Sequence, residues 1–150
     1  MAVAAWVAWS AYSAPLSFVQ EPAGSGLYSA LVNGSFTAIG VASADDWSFE
    51  GEIGDRVSVR LEAVTGTSRP RIRVLNAAGA TLASFDGGTD GVGVLYAYRI
   101  TTPGTYRVRV YTDHAVSDYA MRVDLGRGVD LEVESNDTVA SANLIVPKVG

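Results

Sequence analysis

The sequence predicts an all-β fold, an antiparallel β-sandwich of the jelly-roll type with seven to eight strands. Apolar and polar residues alternate through the middle of the chain, and Gly, Pro and Asn turn signals separate the alternating runs. No segment shows a helical period longer than a turn or two. Short strands at regular spacing, joined by turns, are typical of a sandwich.

Two runs near residue 50 predict the first strands of the core. The positions expected to face inward are Trp47, Phe49 and Ile53 in the first run and Val57, Val59, Leu61 and Ala63 in the second. The intervening positions are mostly polar, as in half-buried strands. Gly54-Asp55 separates the two runs and is typical of a hairpin turn. Residues 16–44 are less regular and predict an entry segment followed by one strand near 35–41.

The later strands follow the same alternation. Ile72 and Val74 predict a strand, residues 76–79 a turn, and residues 82–85 the return strand. The next strand is expected to end at 102–104, where proline removes a backbone donor and glycine permits a positive φ. The remaining positions expected to face the core are Val92, Val94, Tyr96, Tyr98, Ile100, Tyr106, Val108, Val110, Tyr119, Met121, Val123 and Leu125.

Composition limits the classes of partner. Hydrophobic residues make up 48% of the chain and charged residues 18%, which predicts one globular domain with a real core. The net charge of -5 disfavours nucleic acid as a partner, because binding a phosphate backbone requires positive charge. The apolar first fifteen residues are too short for a membrane span. Since there is no cysteine, disulfides and Cys zinc sites are excluded.

The end of the chain predicts the opening of a second module. Shifted back by about 113 residues, Glu134 falls on Glu21 and Leu144 on Leu31, a weak repeat of the kind found in tandem arrays. We therefore divide the chain into an entry region at 1–34, a sandwich at 35–125, and a linker with a second entry segment at 126–150. Residues 1–15 allow two interpretations, a signal-like segment or the last strand of a preceding module.

Several motifs, in their order and spacing, are similar to those of one family. They are Asp45-Asp46-Trp47-Ser48-Phe49, Gly54-Asp55-Arg56-Val57, Arg71 to Val74, Asn76 to Gly79, Pro103-Gly104-Thr105-Tyr106 with Val108 and Val110, and Asp118-Tyr119. This set resembles the bacterial pre-peptidase C-terminal domain family, which includes the collagen-binding domains of clostridial collagenases. The resemblance covers about 35–124, and Glu134 to Asp137 with Ala142 resembles the family's entry signature. It implies a noncatalytic, secreted or cell-surface accessory domain, often repeated, whose partners are neighbouring domains and an extracellular protein or polysaccharide.

The resemblance also implies a calcium site. The residues that match the family's ligands are Glu132, Glu134, Asn136 and Asp137 in the second entry segment, and Asp45 and Asp46 before the first core aromatic. Hard oxygen ligands of this kind are what Ca²⁺ selects, roughly six to eight of them. The first entry segment has Ala23 and Gly24 at the Asn and Asp positions, so ligands are missing there. The alternative interpretation is that Asp45 and Asp46 cap a turn before a strand.

One face of a strand predicts a ligand-binding surface. Tyr111, Arg107 and Arg109 share the polar parity of their run and are expected on the outer face of the sheet. Tyrosine offers an apolar ring with a polar tip, and arginine offers several donors. The alternative is a solvated face paired with acidic neighbours on adjacent strands.

Two other function classes stay open at this point. A carbohydrate-binding module would need an exposed aromatic platform, for which Trp6, Trp9 and Trp47 are the tryptophans present. A small hydrolase would need His114, the single histidine, beside a serine and a carboxylate, yet the Gly-x-Ser-x-Gly elbow is missing. We therefore predict no catalytic residues and no enzymatic activity.

Overall fold

The described part of the chain forms ten strands in two sheets. The computed structural model describes residues 12–64, 68–87 and 90–129. The strands are β1 (Tyr12–Pro15), β2 (Val19–Gln20), β3 (Leu27–Phe36), β4 (Asp45–Gly51), β5 (Arg56–Ala63), β6 (Pro70–Leu75), β7 (Thr81–Asp86), β8 (Val92–Arg99), β9 (Gly104–Thr112) and β10 (Ser117–Gly126). In this described part, no helix is long and apolar enough to cross a membrane.

The two sheets have five strands each. Sheet A has the order β1-β4-β9-β6-β7, and sheet B has the order β2-β3-β10-β5-β8. Neighbouring strands are antiparallel, except that β1 runs parallel to β4. The predicted antiparallel β-sandwich is therefore confirmed. The count exceeds the predicted seven to eight because the short β1 and β2 lie in a region where we expected only an entry segment.

The core lies between the sheets and consists of inward-facing residues at every second position. Val57, Val59 and Leu61 of sheet B are at most 1% exposed. They belong to one cluster with Ile72 and Val108 of sheet A. The other members of this cluster that we predicted are Trp47, Phe49, Val74, Ile100, Tyr106, Val110, Tyr119, Met121, Val123 and Leu125. The alternation in the sequence thus identified most of the core.

The expected hairpin at Gly54-Asp55 is wrong, because β4 belongs to sheet A and β5 to sheet B. The connection carries the chain from one sheet to the other. Asp55 is 1% exposed, and its carboxylate accepts hydrogen bonds from the backbone N–H of Glu52 at 2.8 Å and from Arg127 Nη2 at 2.8 Å. Ile53 lies in this turn and is 67% exposed, so its place in the predicted core is also wrong.

The strand expected near 35–41 begins and ends earlier, at Leu27 and Phe36. Pairing with β10 over ten residues fixes this strand, and the many Gly and Ser residues of the segment had hidden its alternation. A loop with a 3-10 turn at Val41–Ser43 follows. The predicted domain boundary at residue 35 falls inside β3. The division into three regions stays a prediction.

A β-bulge shifts the phase of β8. Between Val57 and Val59 the chain advances two residues on β5, whereas the partner strand advances three, from Tyr98 to Leu95. Ala97 takes up the extra residue with φ of 45°. Its N–H donates to Ser58 Oγ at 2.8 Å, and its carbonyl accepts from Arg56 at 3.2 Å. Both backbone groups freed by the bulge therefore have partners.

This bulge corrects the predicted inward face of the first half of β8. Leu95 is 6% exposed and packs in the core, whereas Tyr96 is 51% exposed. Val92 and Val94 are half-buried and share the parity of Tyr96. After the bulge the prediction holds, since Tyr98 packs against the core and Ile100 is fully buried. The sequence has no Gly or Pro at this position that would indicate a bulge.

We expect Ala97→Gly to stabilise the protein by about 0.5 to 1 kcal/mol. A left-handed backbone costs an L-residue roughly 1 to 2 kcal/mol, and the extra chain entropy of glycine offsets part of that gain. Urea unfolding of the variant and the parent measures the difference. Ala120→Gly, on β10, which pairs with both neighbouring strands without a register shift, is the control and should destabilise. A destabilised Ala97→Gly variant would contradict the left-handed assignment.

Candidate functional site

Asp45 and Asp46 open β4 and point to opposite faces of sheet A. Asp45 lies on the inner side and is 6% exposed. The phenol of Tyr119, from sheet B, donates a hydrogen bond to Asp45 Oδ2 at 2.6 Å, and Trp47 Nε1 lies 3.2 Å from the same phenol oxygen. The Tyr119 ring stacks on Phe36 with ring centroids 4.5 Å apart. These bonds tie the two sheets together through buried polar atoms.

Burial raises the pKa of Asp45, because a carboxylate loses hydration inside the sandwich. The hydrogen bond from Tyr119 acts in the opposite direction, and the neighbouring charge of Asp46 raises the pKa further. The net direction is upward. The ionised form of Asp45 is therefore less favoured in the folded protein than in the unfolded chain.

We expect the parent to lose stability relative to Asp45→Asn as the pH rises. A raised pKa means that the native state holds a proton which the unfolded chain has released, so ionisation destabilises the fold above about pH 3.9. Asn keeps an acceptor for Tyr119 but does not ionise. Urea unfolding of both proteins from about pH 4 to about pH 7 tests this, with Asp90→Asn on an exposed loop as control. A parent that gains stability relative to Asp45→Asn as the pH rises would contradict this prediction.

Asp46 lies under two arginines on the outer side of sheet A. Arg109 is its direct cross-strand neighbour and donates through Nε to Oδ1 at 2.7 Å and through Nη2 to Oδ2 at 2.8 Å. Arg107 Nη1 adds a bond to Oδ2 at 3.2 Å. The carboxylate is 1% exposed and the Arg109 side chain 10%. The hydrogen bonds to Asp46 raise the pKa of Arg109, so its guanidinium stays charged.

The outer side of sheet A continues as a row of guanidinium groups. Arg71 and Arg73 of β6 lie beside Arg109 and Tyr111 of β9, since Arg73 pairs with Arg109 and Arg71 with Tyr111. Arg73 donates to the Tyr111 phenol oxygen at 3.1 Å, and its guanidinium carbon lies 5.6 Å from the ring centroid. We call this surface the arginine face and define it as Arg71, Arg73, Arg107, Arg109 and Tyr111.

Two further aspartates flank the arginine face. Asp86 of β7 accepts from Arg73 at 2.5 Å and lies 3.3 Å from Arg71 Nη1, while Asp113 pairs with Arg71. The Asp86 side chain is 52% exposed. The exposed rim of the face thus combines arginine donors, an aromatic ring and half-exposed carboxylates.

The three residues predicted to face a ligand lie on one surface, but they are not equally exposed. Arg107 and Tyr111 are partly exposed, whereas Arg109 is 8% exposed and its guanidinium is engaged by Asp46. Arg71 and Arg73 belong to the same surface and were not predicted. Their alternation with Pro70, Ile72 and Val74 is the same signal that marked Arg107 and Arg109. What the sequence did not show is that β6 and β9 are neighbours.

Asp45 and Asp46 alone do not fit a calcium ion. Their side chains lie on opposite sides of β4, and Asp46 holds two guanidinium groups. Across the described residues, no three His, Asp or Glu side chains group in a way that would hold a metal. The other proposed ligands, Glu132, Glu134, Asn136 and Asp137, lie outside the described residues. Calcium binding stays a prediction. The alternative, that the two aspartates cap the turn before the strand, does not match their bonds, since Asp45 accepts from Tyr119 and Asp46 accepts from Arg107 and Arg109.

The described residues that a hydrolase or a carbohydrate-binding module would use do not lie where those functions require them. His114 is exposed in the loop between β9 and β10, where its backbone nitrogen lies 3.4 Å from Thr112 Oγ1. Trp47 is 9% exposed and belongs to the core, so it offers no platform to a ligand. Trp6 and Trp9 lie outside the described residues.

Comparison with known proteins identifies the class. Residues 43–112 match the family model of the bacterial pre-peptidase C-terminal domain. The matched segment begins just before β4 and ends with β9, so it includes Asp45, Asp46 and the arginine face. The motifs in the sequence predicted this family, and residues 43–112 match its model. No curated protein sequence matches the chain.

Two solved structures share the fold. A periplasmic inhibitor of g-type lysozyme from Aeromonas hydrophila superimposes with a TM-score of 0.54 and 20% identity, over 77% of this chain and 98% of the inhibitor. The pre-peptidase C-terminal domain of a collagenase from Bacillus anthracis superimposes with a TM-score of 0.51 and 14% identity, over 76% of this chain and 93% of that domain. At such identities the likeness concerns the fold.

Proposed function

We propose that this chain is a noncatalytic accessory module of an exported multidomain protein, and that it attaches its parent protein to extracellular material through the arginine face. The match of residues 43–112 to the family model supports the accessory role. The structural neighbours come from a periplasmic protein and from a collagenase, which supports export. The attachment proposal rests on the arginine face, which presents arginine and tyrosine side chains on the outer side of sheet A.

The chemistry of the arginine face favours a protein fibre as the partner. A guanidinium has five N–H donors, so Arg107 keeps free donors after its bond to Asp46, and its side chain is 30% exposed. Tyr111 adds a ring that already lies beside Arg73. Donors and aromatic rings together recognise peptide carbonyls and carboxylates, and arginine and tyrosine are enriched in protein interfaces.

Co-sedimentation tests this proposal. The 150-residue chain fused to a fluorescent protein is mixed with fibrillar collagen, chitin or cellulose and centrifuged, with the fluorescent protein alone as control. We expect the fusion to pellet with the collagen fibres. Pelleting only with chitin or cellulose would assign a polysaccharide partner instead, and a fusion that stays in solution with all three materials would leave the module as a spacer.

Calcium is a separate part of the proposal, and it rests on Glu132 to Asp137. The described aspartates alone do not fit the ion. If residues 132–137 supply the ligands, calcium should raise the melting temperature of the parent but not that of the double variant Glu134→Gln/Asp137→Asn. If they do not, calcium should change neither melting temperature. A ligand that binds only the native state stabilises it by RT ln(1 + [L]/Kd). Melts with Ca²⁺ and with Mg²⁺ are compared for the parent and for Glu134→Gln/Asp137→Asn. A calcium shift that the double variant retains would contradict this assignment of ligands.

A further inference from the structure

A cleft at one end of the sandwich has the dimensions of a small-molecule site. It lies between the β6–β7 turn, with Asn76, and the β8–β9 connection, with Thr101 and Thr102. Leu82 and Tyr98 complete its walls. Its volume is about 340 Å³, and small-molecule sites span roughly 300 to 1,000 Å³. We call it the end cleft.

The end cleft contains no charge. None of its eleven lining residues is Asp, Glu, Lys, Arg or His. The arginines of the arginine face, on the outer side of sheet A, all form ion pairs. Because an ionised ligand would lose hydration here without gaining a counter-charge, the cleft favours a neutral ligand.

Neutral polar groups line one side of the cleft. Asn76 is fixed by its own turn, since Oδ1 accepts from the Ala80 N–H at 2.9 Å and its carbonyl accepts from the Gly79 N–H at 2.9 Å. With Oδ1 engaged, Asn76 keeps its amide N–H donors for a ligand in the cleft that it lines, and the Thr101 hydroxyl can donate or accept. Paired donors and acceptors without charge are the chemistry that recognises hydroxyl groups.

The other side of the cleft is apolar and held in place. Tyr106 stacks on Phe49 with ring centroids 5.7 Å apart, and its phenol donates to the carbonyl of Thr102, which anchors the β8–β9 connection. Tyr98 is half-buried beside it, and burial raises its pKa, so its phenol is neutral at physiological pH. Leu82 is 37% exposed. A tyrosine ring with an aliphatic neighbour offers a flat apolar surface.

We propose that the end cleft binds a neutral pyranose saccharide, whose hydroxyl groups bond to Asn76 and Thr101 and whose apolar ring face packs against Tyr98. A pyranose combines the features that the cleft matches, since it is uncharged, carries several hydroxyls and has an apolar face. This inference goes beyond the attachment role. It concerns a different ligand and different residues, so either proposal stands without the other.

An NMR titration tests the end cleft. The ¹⁵N-labelled chain is titrated separately with maltotriose, cellotriose and N,N′,N″-triacetylchitotriose, and with the charged trisaccharide trigalacturonate. We expect at least one neutral trisaccharide to shift the amide signals of residues 76–80 and 98–105, and trigalacturonate to leave them unchanged.

A matched pair of variants makes the test specific. Asn76→Asp keeps an acceptor for the Ala80 N–H but removes the donor and adds a charge, so it should weaken saccharide binding about tenfold or more. Asn33→Asp makes the same change on β3 and should leave binding unaltered. The proposal is overturned if no neutral trisaccharide shifts these amides, if trigalacturonate shifts them as much as the neutral sugars do, or if both variants behave alike. None of these results would alter co-sedimentation with collagen.

Discussion

Replacing Asp46 with Asn is expected to lower the free energy of unfolding by about 3 to 5 kcal/mol, because it leaves the Arg109 charge buried without its partner. The two side chains are 1% and 10% exposed and share two hydrogen bonds of 2.7 and 2.8 Å. Neither neighbour can replace Asp46, since Arg107 and Arg73 carry the same charge as Arg109. Urea unfolding at pH 7 measures the change.

Two controls separate this buried pair from ordinary surface charge. Glu62→Gln removes the partner of Arg60, where both side chains are about half exposed, and should cost about 0 to 1 kcal/mol. The double variant Asp46→Leu/Arg109→Leu should recover part of the loss, because no unpaired charge remains buried. An Asp46→Asn variant as stable as Glu62→Gln would show that Arg109 reaches water and that the bidentate pair contributes little.

Leu95→Ala is expected to destabilise the protein by about 2 to 5 kcal/mol, the usual range for emptying a buried leucine site. Leu95 is 6% exposed and packs in the core on the inner side of β8. The neighbouring change Tyr96→Thr keeps a strand-forming residue at a position that is 51% exposed, and should cost no more than about 0.5 kcal/mol.

This pair tests the bulge at Ala97 directly. The alternation in the sequence places Tyr96 inside and Leu95 outside, whereas the structure places them the other way round. A large loss for Tyr96→Thr with a small loss for Leu95→Ala would restore the regular alternation and contradict the bulge. Thermal melts by circular dichroism provide an independent measure of both changes.

The fold was predictable because its strands are half-buried. On β5, β9 and β10 most inward positions are apolar and most outward ones polar, as with Val57, Val59 and Leu61, so period two is visible in the sequence. On β3 the inner positions include Ala30 and Gly34, and Leu31 points outward with 78% exposure. The weak contrast between the two faces explains why this strand was misplaced.

The candidate site was only partly predictable because its contacts join distant parts of the chain. Tyr119 meets Asp45 across 74 positions of sequence and between two sheets. The arginine face requires β6 to lie beside β9, and the local pattern around Arg71 and Arg73 carries no information on that pairing. Sequence spacing shows which residues share a face of a strand, but not which strands are neighbours.

The central claim, that the arginine face attaches this domain to a protein fibre, is tested most directly by collagen binding of a face variant. Arg107→Gln/Tyr111→Ser alters the exposed part of the face and leaves the Asp46–Arg109 pair intact. Arg60→Gln/Arg122→Gln removes two exposed arginines from the outer side of sheet B. We predict that the face variant loses collagen affinity by more than about tenfold while the control binds like the parent, with both folded at the assay temperature. Unchanged binding by the face variant, or an equal loss in both, would contradict the claim.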